Sequence, residues 1–260
     1  MDSIIESLDQ EVLRAPATVP YPAPSRPVPF APGEQLVSLH SRESFEANRY
    51  RVLTHRIEGL RGNGGRGVIV VTSPGAGEGK TTTAINLAGT LAQSKGSRVL
   101  LVDADLRLPD VAKQLGIPLD GQTGLSEALL DADLPLEVAV CRLPPFNLSV
   151  LTSGRHLDAP YEALRSPRFG ALLDQARRTY DYVIVDSPPV LPVPDTRVIA
   201  RWADSLLLVV AAHRTPRRYL EEALNALDPE KVAGLVFNSV DPPPLGPYAY
   251  YRGYGAPPAR

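Results

Sequence analysis

Val68-Ile-Val-Val-Thr-Ser-Pro74-Gly-Ala-Gly-Glu-Gly-Lys80-Thr-Thr82 is the stretch whose reading decides the fold. Its opening, Val68–Thr72, is a β-branched apolar run that reads as a buried strand. Gly75, Gly77 and Gly79 then space a loop in which backbone N–H groups turn inward, since no side chain obstructs them. From Thr81 to Ser94 the pattern is helical, so the loop ends at the positive pole of a helix. Strand, glycine-rich loop and helix in this order cradle nucleotide phosphates. Gly75, Ala76, Gly77, Glu78, Gly79, Lys80, Thr81 and Thr82 form the cradle, Lys80 reaches the β- and γ-phosphates, and the Thr81 hydroxyl suits a magnesium ion. Pro74 occupies the place where this pattern usually carries its first glycine.

Working outward, two more strand ends carry acids. Val99–Val102 is an apolar run that ends in Asp103-Ala-Asp105-Leu-Arg107. Carboxylates two residues apart at the C-terminal end of a parallel strand lie on the ligand-binding rim and can turn toward one cation. Val183–Val185 ends in Asp186-Ser-Pro-Pro189, the Walker B arrangement of an aspartate after an apolar strand. Leu206–Val210 and Leu235–Phe237 read as further strands. Helical patterns fall at residues 41–60, Ser126–Ala132, Tyr161–Tyr180, Thr196–Trp202 and Pro216–Leu227. This alternation predicts an α/β fold, a doubly wound, mostly parallel sheet with helices on both faces, of the P-loop NTPase kind.

The 260 residues suit one domain of roughly 200 residues with tails. A net charge of −2 gives no support for nucleic acid or an anionic membrane as a partner. Cys141 is the only cysteine, so no internal disulfide is possible, and His40, His55, His156 and His213 show no metal-ligand spacing. The acidic start, Met1–Glu6, is no signal peptide. The longest apolar run, Leu206–Ala212, falls far short of the ~20 residues that span a bilayer. These features predict a cytoplasmic protein with no direct membrane insertion. Residues 1–34 read as a tail: helically spaced Ile4, Ile5, Leu8, Val12 and Leu13, then an extended run with Pro16, Pro20, Pro22, Pro24, Pro27, Pro29 and Pro32. The expected domain covers 35–243. The tail 244–260 carries Tyr248, Tyr250, Tyr251 and Tyr254.

Taken together, the loop, the doubled aspartates of Val99–Arg107, Asp186-Ser-Pro-Pro189 and the terminal tyrosines resemble the bacterial tyrosine kinases of capsule and exopolysaccharide synthesis. The resemblance covers about residues 41–254. It implies ATP and Mg2+ as cofactors, and Lys80, Asp103 and Asp105 as catalytic residues. Thr81, Asp103, Asp105 and Asp186 would surround the metal, and Asp103 would help deprotonate the attacking tyrosine. Arg107 completes the motif, and Asn238 sits where related ATPases contact the base. It further implies autophosphorylation of Tyr248, Tyr250, Tyr251 and Tyr254. The implied partners are a transmembrane polysaccharide co-polymerase that activates the kinase at the inner face of the membrane, other copies of the chain, and a tyrosine phosphatase. Glu46 and Arg49 match the first half of the family's Glu-x-x-Arg-x-x-Arg oligomerisation motif, but Val52 stands in place of its last arginine. Two other readings share the loop. A ParA/MinD-like positioning ATPase usually carries an early loop lysine, which Pro74-Gly75-Ala76 lacks. An adaptor that binds ATP without catalysis is disfavoured by the intact Lys80, Asp103, Asp105 and Asp186.

Overall fold

The structure is a computed structural model that describes residues 26–61, 67–94, 96–118, 121 and 123–240. Among these, eight strands form one sheet: β1 (Arg26–Pro27), β2 (Gly67–Thr72), β3 (Val99–Asp103), β4 (Cys141–Arg142), β5 (Leu148–Leu151), β6 (Tyr182–Asp186), β7 (Ser205–Ala211) and β8 (Val232–Asn238). Their order is β1-β4-β5-β3-β6-β2-β7-β8. Every pairing is parallel except β4 with β5. The doubly wound, mostly parallel sheet expected from the sequence is therefore present. β2 and β3 are buried along their whole length, because both faces of a parallel sheet are covered. Their side chains alternate between two cores. Val68, Val70, Leu100 and Val102 join one, and Ile69, Val71, Val99 and Leu101 the other.

The helices are α1 (Val37–His40), α2 (Phe45–Arg61), α3 (Lys80–Leu91), α4 (Val111–Leu115), α5 (Leu125–Leu130), α6 (Leu136–Ala139), α7 (Pro160–Arg165), α8 (Pro167–Thr179), α9 (Asp195–Ile199) and α10 (Arg217–Asn225). Buried residues of α1–α4 share the core with Ile69 and Val71. Those of α5–α10 share the core with Val68 and Val70. The single helix expected over Tyr161–Tyr180 is two, divided at Ser166, whose ψ of 149° is extended. The ring of Pro167 excludes the helical conformation from the residue before it.

The stretch read as a proline-rich tail ends differently from that expectation. From Arg26 onward the chain lies against the domain: Val28 N–H donates to the Arg142 carbonyl, Ala31 N–H to Leu115 and Gly33 N–H to Gln114. Val28 and Leu36 are buried. Pro27, Pro29 and Pro32, which have no N–H to offer, alternate with those donors, as an edge segment permits. Proline density here marks a strap pressed along one edge of the sheet.

Candidate active site

Sheet register assembles the site. β3 and β6 are neighbours with Asp103 opposite Asp186, and β6 also pairs with β2, which leads into the loop. The C-terminal ends of three adjacent strands thus deliver the loop and two carboxylates to one rim, and Asp105 follows one turn of chain later. Lys80 Nζ lies 2.9 Å from Asp105 Oδ2 and 3.8 Å from Asp186 Oδ2. The Thr81 hydroxyl donates to Asp186 Oδ2 at 2.7 Å. Sequence positions 80, 81, 103, 105 and 186 therefore converge, as their motifs require.

Three buried carboxylates share one ammonium there, and the charge balance shows it. Burial pushes the Asp186 carboxyl up to about 6, against the opposing pull of Lys80 and the Thr81 hydroxyl. Burial and the neighbouring Asp186 push Asp103 well above the usual carboxylate range. For Lys80, burial works to lower the pKa, but Asp186 and Asp105 outweigh it and leave it raised. The cluster lacks positive charge. Asp186 Oδ1 is buried without a hydrogen-bond partner, the condition expected of an oxygen reserved for a cation or its water. Among the described residues no cluster of three or more His, Cys, Asp or Glu side chains is arranged to hold a metal alone. Thr81 and Asp186 nonetheless fit a hard, oxygen-seeking ion that takes its remaining ligands from phosphates and water.

The two aspartates of the doubled motif have different surroundings. Asp103 is fully buried and accepts from the N–H groups of Asp105 and Val111, so it braces the loop that follows β3. It is not among the residues that line the cavity. Asp105 does border the cavity, where it meets Lys80, and its other oxygen accepts from Leu108 N–H. The cavity, of about 650 Å3, is bounded by Gly77, Lys80 and Thr81 on one side and by Arg107, Leu108 and Pro189 on another.

Gly77 and Gly79 have φ of 75° and 87°, the left-handed region open to glycine. A Cβ on Gly79 would collide with the Asn238 amide. Asn238 itself stands behind the loop and donates to the Glu78 carbonyl at 3.0 Å. Glu78 faces away from the cradle. One carboxylate oxygen accepts from Gly75 N–H at 2.9 Å, the other from Ala211 N–H at 3.1 Å and the Thr215 hydroxyl at 2.7 Å. It ties the loop to the end of β7. The Pro74 carbonyl accepts from Leu191 N–H at 3.3 Å. Residues that motif reading missed are Thr215, Gln114 and Asp195. Gln114 accepts from the Thr82 hydroxyl, and Asp195 pairs with Arg107. None belongs to a motif, so spacing carried no signal for them. Tyr248, Tyr250, Tyr251 and Tyr254 lie outside the described residues.

Comparison with known proteins finds relatives of the whole domain. The family described as AAA domain matches residues 66–228. Tyrosine-protein kinase YwqD of Bacillus subtilis is 34% identical over 218 residues, covering 83% of this chain and 90% of that protein. The succinoglycan biosynthesis transport protein ExoP of Rhizobium meliloti is 37% identical over 194 residues, 72% of this chain but 24% of that longer protein. Among solved structures, the chimerical protein CapA2B2 superposes with a TM-score of 0.73 at 26% identity, covering 90% of this chain and 98% of that one. With the phosphate loop, the doubled aspartates and Asp186 gathered on one rim, the chain belongs to the family of bacterial tyrosine-protein kinases built on the P-loop ATPase fold.

Proposed function

We propose that this chain transfers the γ-phosphoryl group of ATP to tyrosine hydroxyls, with its own Tyr248, Tyr250, Tyr251 and Tyr254 among the acceptors, in support of polysaccharide synthesis. The observation that carries this reading is the buried cluster of Lys80, Asp105 and Asp186 beside a cavity with one apolar side. Leu108, 74% exposed, lines that cavity together with Pro189, Pro192 and Val193, apolar groups suited to an aromatic ring. Gly75–Thr82 holds the phosphates through backbone N–H groups, and Lys80 neutralises the transferring group. Thr81 and Asp186 would hold Mg2+, with Asp103 supporting from below; the ion supplies charge neutralisation at the phosphate oxygens. Asp105 borders the cavity and takes the role of proton acceptor that motif reading gave to Asp103. As the tyrosine oxygen bonds to the γ-phosphorus, the bond to the β-phosphate oxygen breaks, ADP leaves, and the phenolic proton passes to the carboxylate. Asn238, braced against Glu78, would contribute to the base-side wall.

The name of ExoP supports a setting in polysaccharide biosynthesis and transport. On this reading a transmembrane co-polymerase recruits the chain to the inner face of the membrane and activates it, copies of the chain supply tails to one another, and a tyrosine phosphatase reverses the modification. Glu46, Arg49 and Val52 are exposed along one ridge of α2, available for self-association.

Incubation with Mg2+ and labelled ATP, followed by phosphate mapping, tests the proposal. Label on Tyr248–Tyr254 is expected, and Lys80→Met should lower it at least about 100-fold. ATP hydrolysis without phosphotyrosine, with or without a co-polymerase peptide, would overturn the reading in favour of a positioning ATPase.

A further inference from the structure

The geometry points to Asp195 as a positioning residue that aims Arg107 at the transferring phosphoryl group. Asp195 opens α9 and is fully buried. Both of its carboxylate oxygens accept from Arg107 Nε, at 3.3 Å and 3.1 Å. The Arg107 side chain is 39% exposed and borders the cavity that holds Lys80 and Asp105. Engagement through Nε alone leaves the Nη1 and Nη2 amino groups to point elsewhere, and the planar fork makes their direction follow from the grip on Nε.

The position of Asp195 is itself fixed. Thr196, the next residue, donates its hydroxyl to the Pro188 carbonyl at 2.5 Å, and Thr72 at the end of β2 donates to that same carbonyl at 2.8 Å. Pro188 follows Asp186 by two residues. A rigid path therefore runs from the strand that feeds the phosphate loop, through the loop after β6, to the carboxylate that grips Arg107. A half-exposed arginine needs no buried carboxylate for its own solvation, and a desolvated carboxylate is costly unless paired. What the pairing accomplishes is a defined orientation of a guanidinium on the cavity that Lys80 also lines, where negative charge develops on the γ-phosphoryl oxygens.

The inference rests on the phosphoryl-transfer reading but does not require tyrosine as acceptor. It is tested with the full chain in a double-mutant cycle of Arg107→Ala, Asp195→Ala and the pair, with Asp195→Asn as a shape-preserving control. The primary readout is affinity for ADP with fluoroaluminate, which mimics the phosphoryl group in transfer, against affinity for ADP alone. The expected loss for the mimic is about 100-fold in either alanine variant and about tenfold in Asp195→Asn, with ADP affinity within about twofold of the parent. The double variant should lose no more than the single ones, because each removes the same interaction. The rate of transfer, to tyrosine or to water, should fall in kcat and not in KM for ATP. Losses that multiply in the double variant, or equal losses for ADP and the mimic, overturn the positioning role. Absence of phosphotyrosine with an intact binding cycle would instead count only against the acceptor assignment. Thermal melting of each variant separates these outcomes from misfolding, and Asp195→Asn retains the cycle if Asp195→Ala does not fold.

Discussion

At the scale of single residues, the site is built against its own stability. Asp186 is buried with one oxygen unpartnered, and burial pushes its carboxyl up to about 6 from an ordinary value of 3.8. The sign follows from linkage. Between those two values the folded protein binds more protons than the unfolded chain. The contribution to stability is therefore fully present below about pH 4 and lost as pH rises through about 6. The metal-free protein with Asp186→Asn should melt a few degrees above the parent at pH 7, and the gap should close on acidification to pH 4. Equal melting temperatures at pH 7 would mean that Lys80 offsets the burial completely. The same variant should lose phosphoryl transfer, since function takes the charge that stability would discard.

At the scale of elements, α3 serves two masters. Its N-terminus follows the glycine-rich loop, and its far side holds the strap. Asn86 is fully buried in the middle of α3. Its Oδ1 accepts from Ser38 N–H, and its Nδ2 donates to the carbonyls of Gln35 and Thr82, each at 3.0 Å. Asn86→Ala leaves buried strap groups without partners and should cost about 2–3 kcal/mol in urea melts. Amide exchange at residues 35–39 should quicken in step. A loss below about 0.5 kcal/mol would show that water enters the space left by the amide and satisfies those groups. Gly89 faces Ser38 and Leu39 with no room for a Cβ, so the strap sits in a groove that this helix surface is shaped to accept.

At the scale of the whole molecule, the strap belongs to the domain and reaches toward the site. Gly33 N–H bonds the Gln114 carbonyl, and the Gln114 side chain meets the Thr82 hydroxyl and Asp110. A chain beginning at residue 26 should be more stable than one beginning at residue 35, by about 2–4 kcal/mol from the lost backbone bonds and the burial of Val28. ATP affinity of the shorter chain should fall as well, through Gln114 and Thr82. Identical melting curves for the two would restore the boundary at residue 34. Val52, where the oligomerisation motif carries arginine, is exposed on α2, whereas Leu53 and Ile57 of the same helix pack into the core shared with α3.

Much of this is legible in the amino-acid sequence itself. The loop Pro74–Thr81 and the aspartates that end their strands follow from local rules: glycine where the backbone must turn inward, and an acid where an apolar run stops at the rim. Those rules act over a few residues, so the sequence alone determined the P-loop fold, the parallel sheet and the set Lys80, Thr81, Asp103, Asp105 and Asp186. It was silent on β5, whose apolar run is broken by the buried Ser149, and on α1, α4 and α6, where four or five residues show no period. It also could not divide labour within the cluster. Which aspartate braces a loop and which meets the cavity depends on register and burial. The grip of Asp195 on Arg107 joins positions 88 apart in the chain, and the bonds of Glu78 and Asn86 likewise cross between elements. Such contacts exist only once strands are laid side by side, and no short-range pattern encodes them; tertiary structure alone decided them.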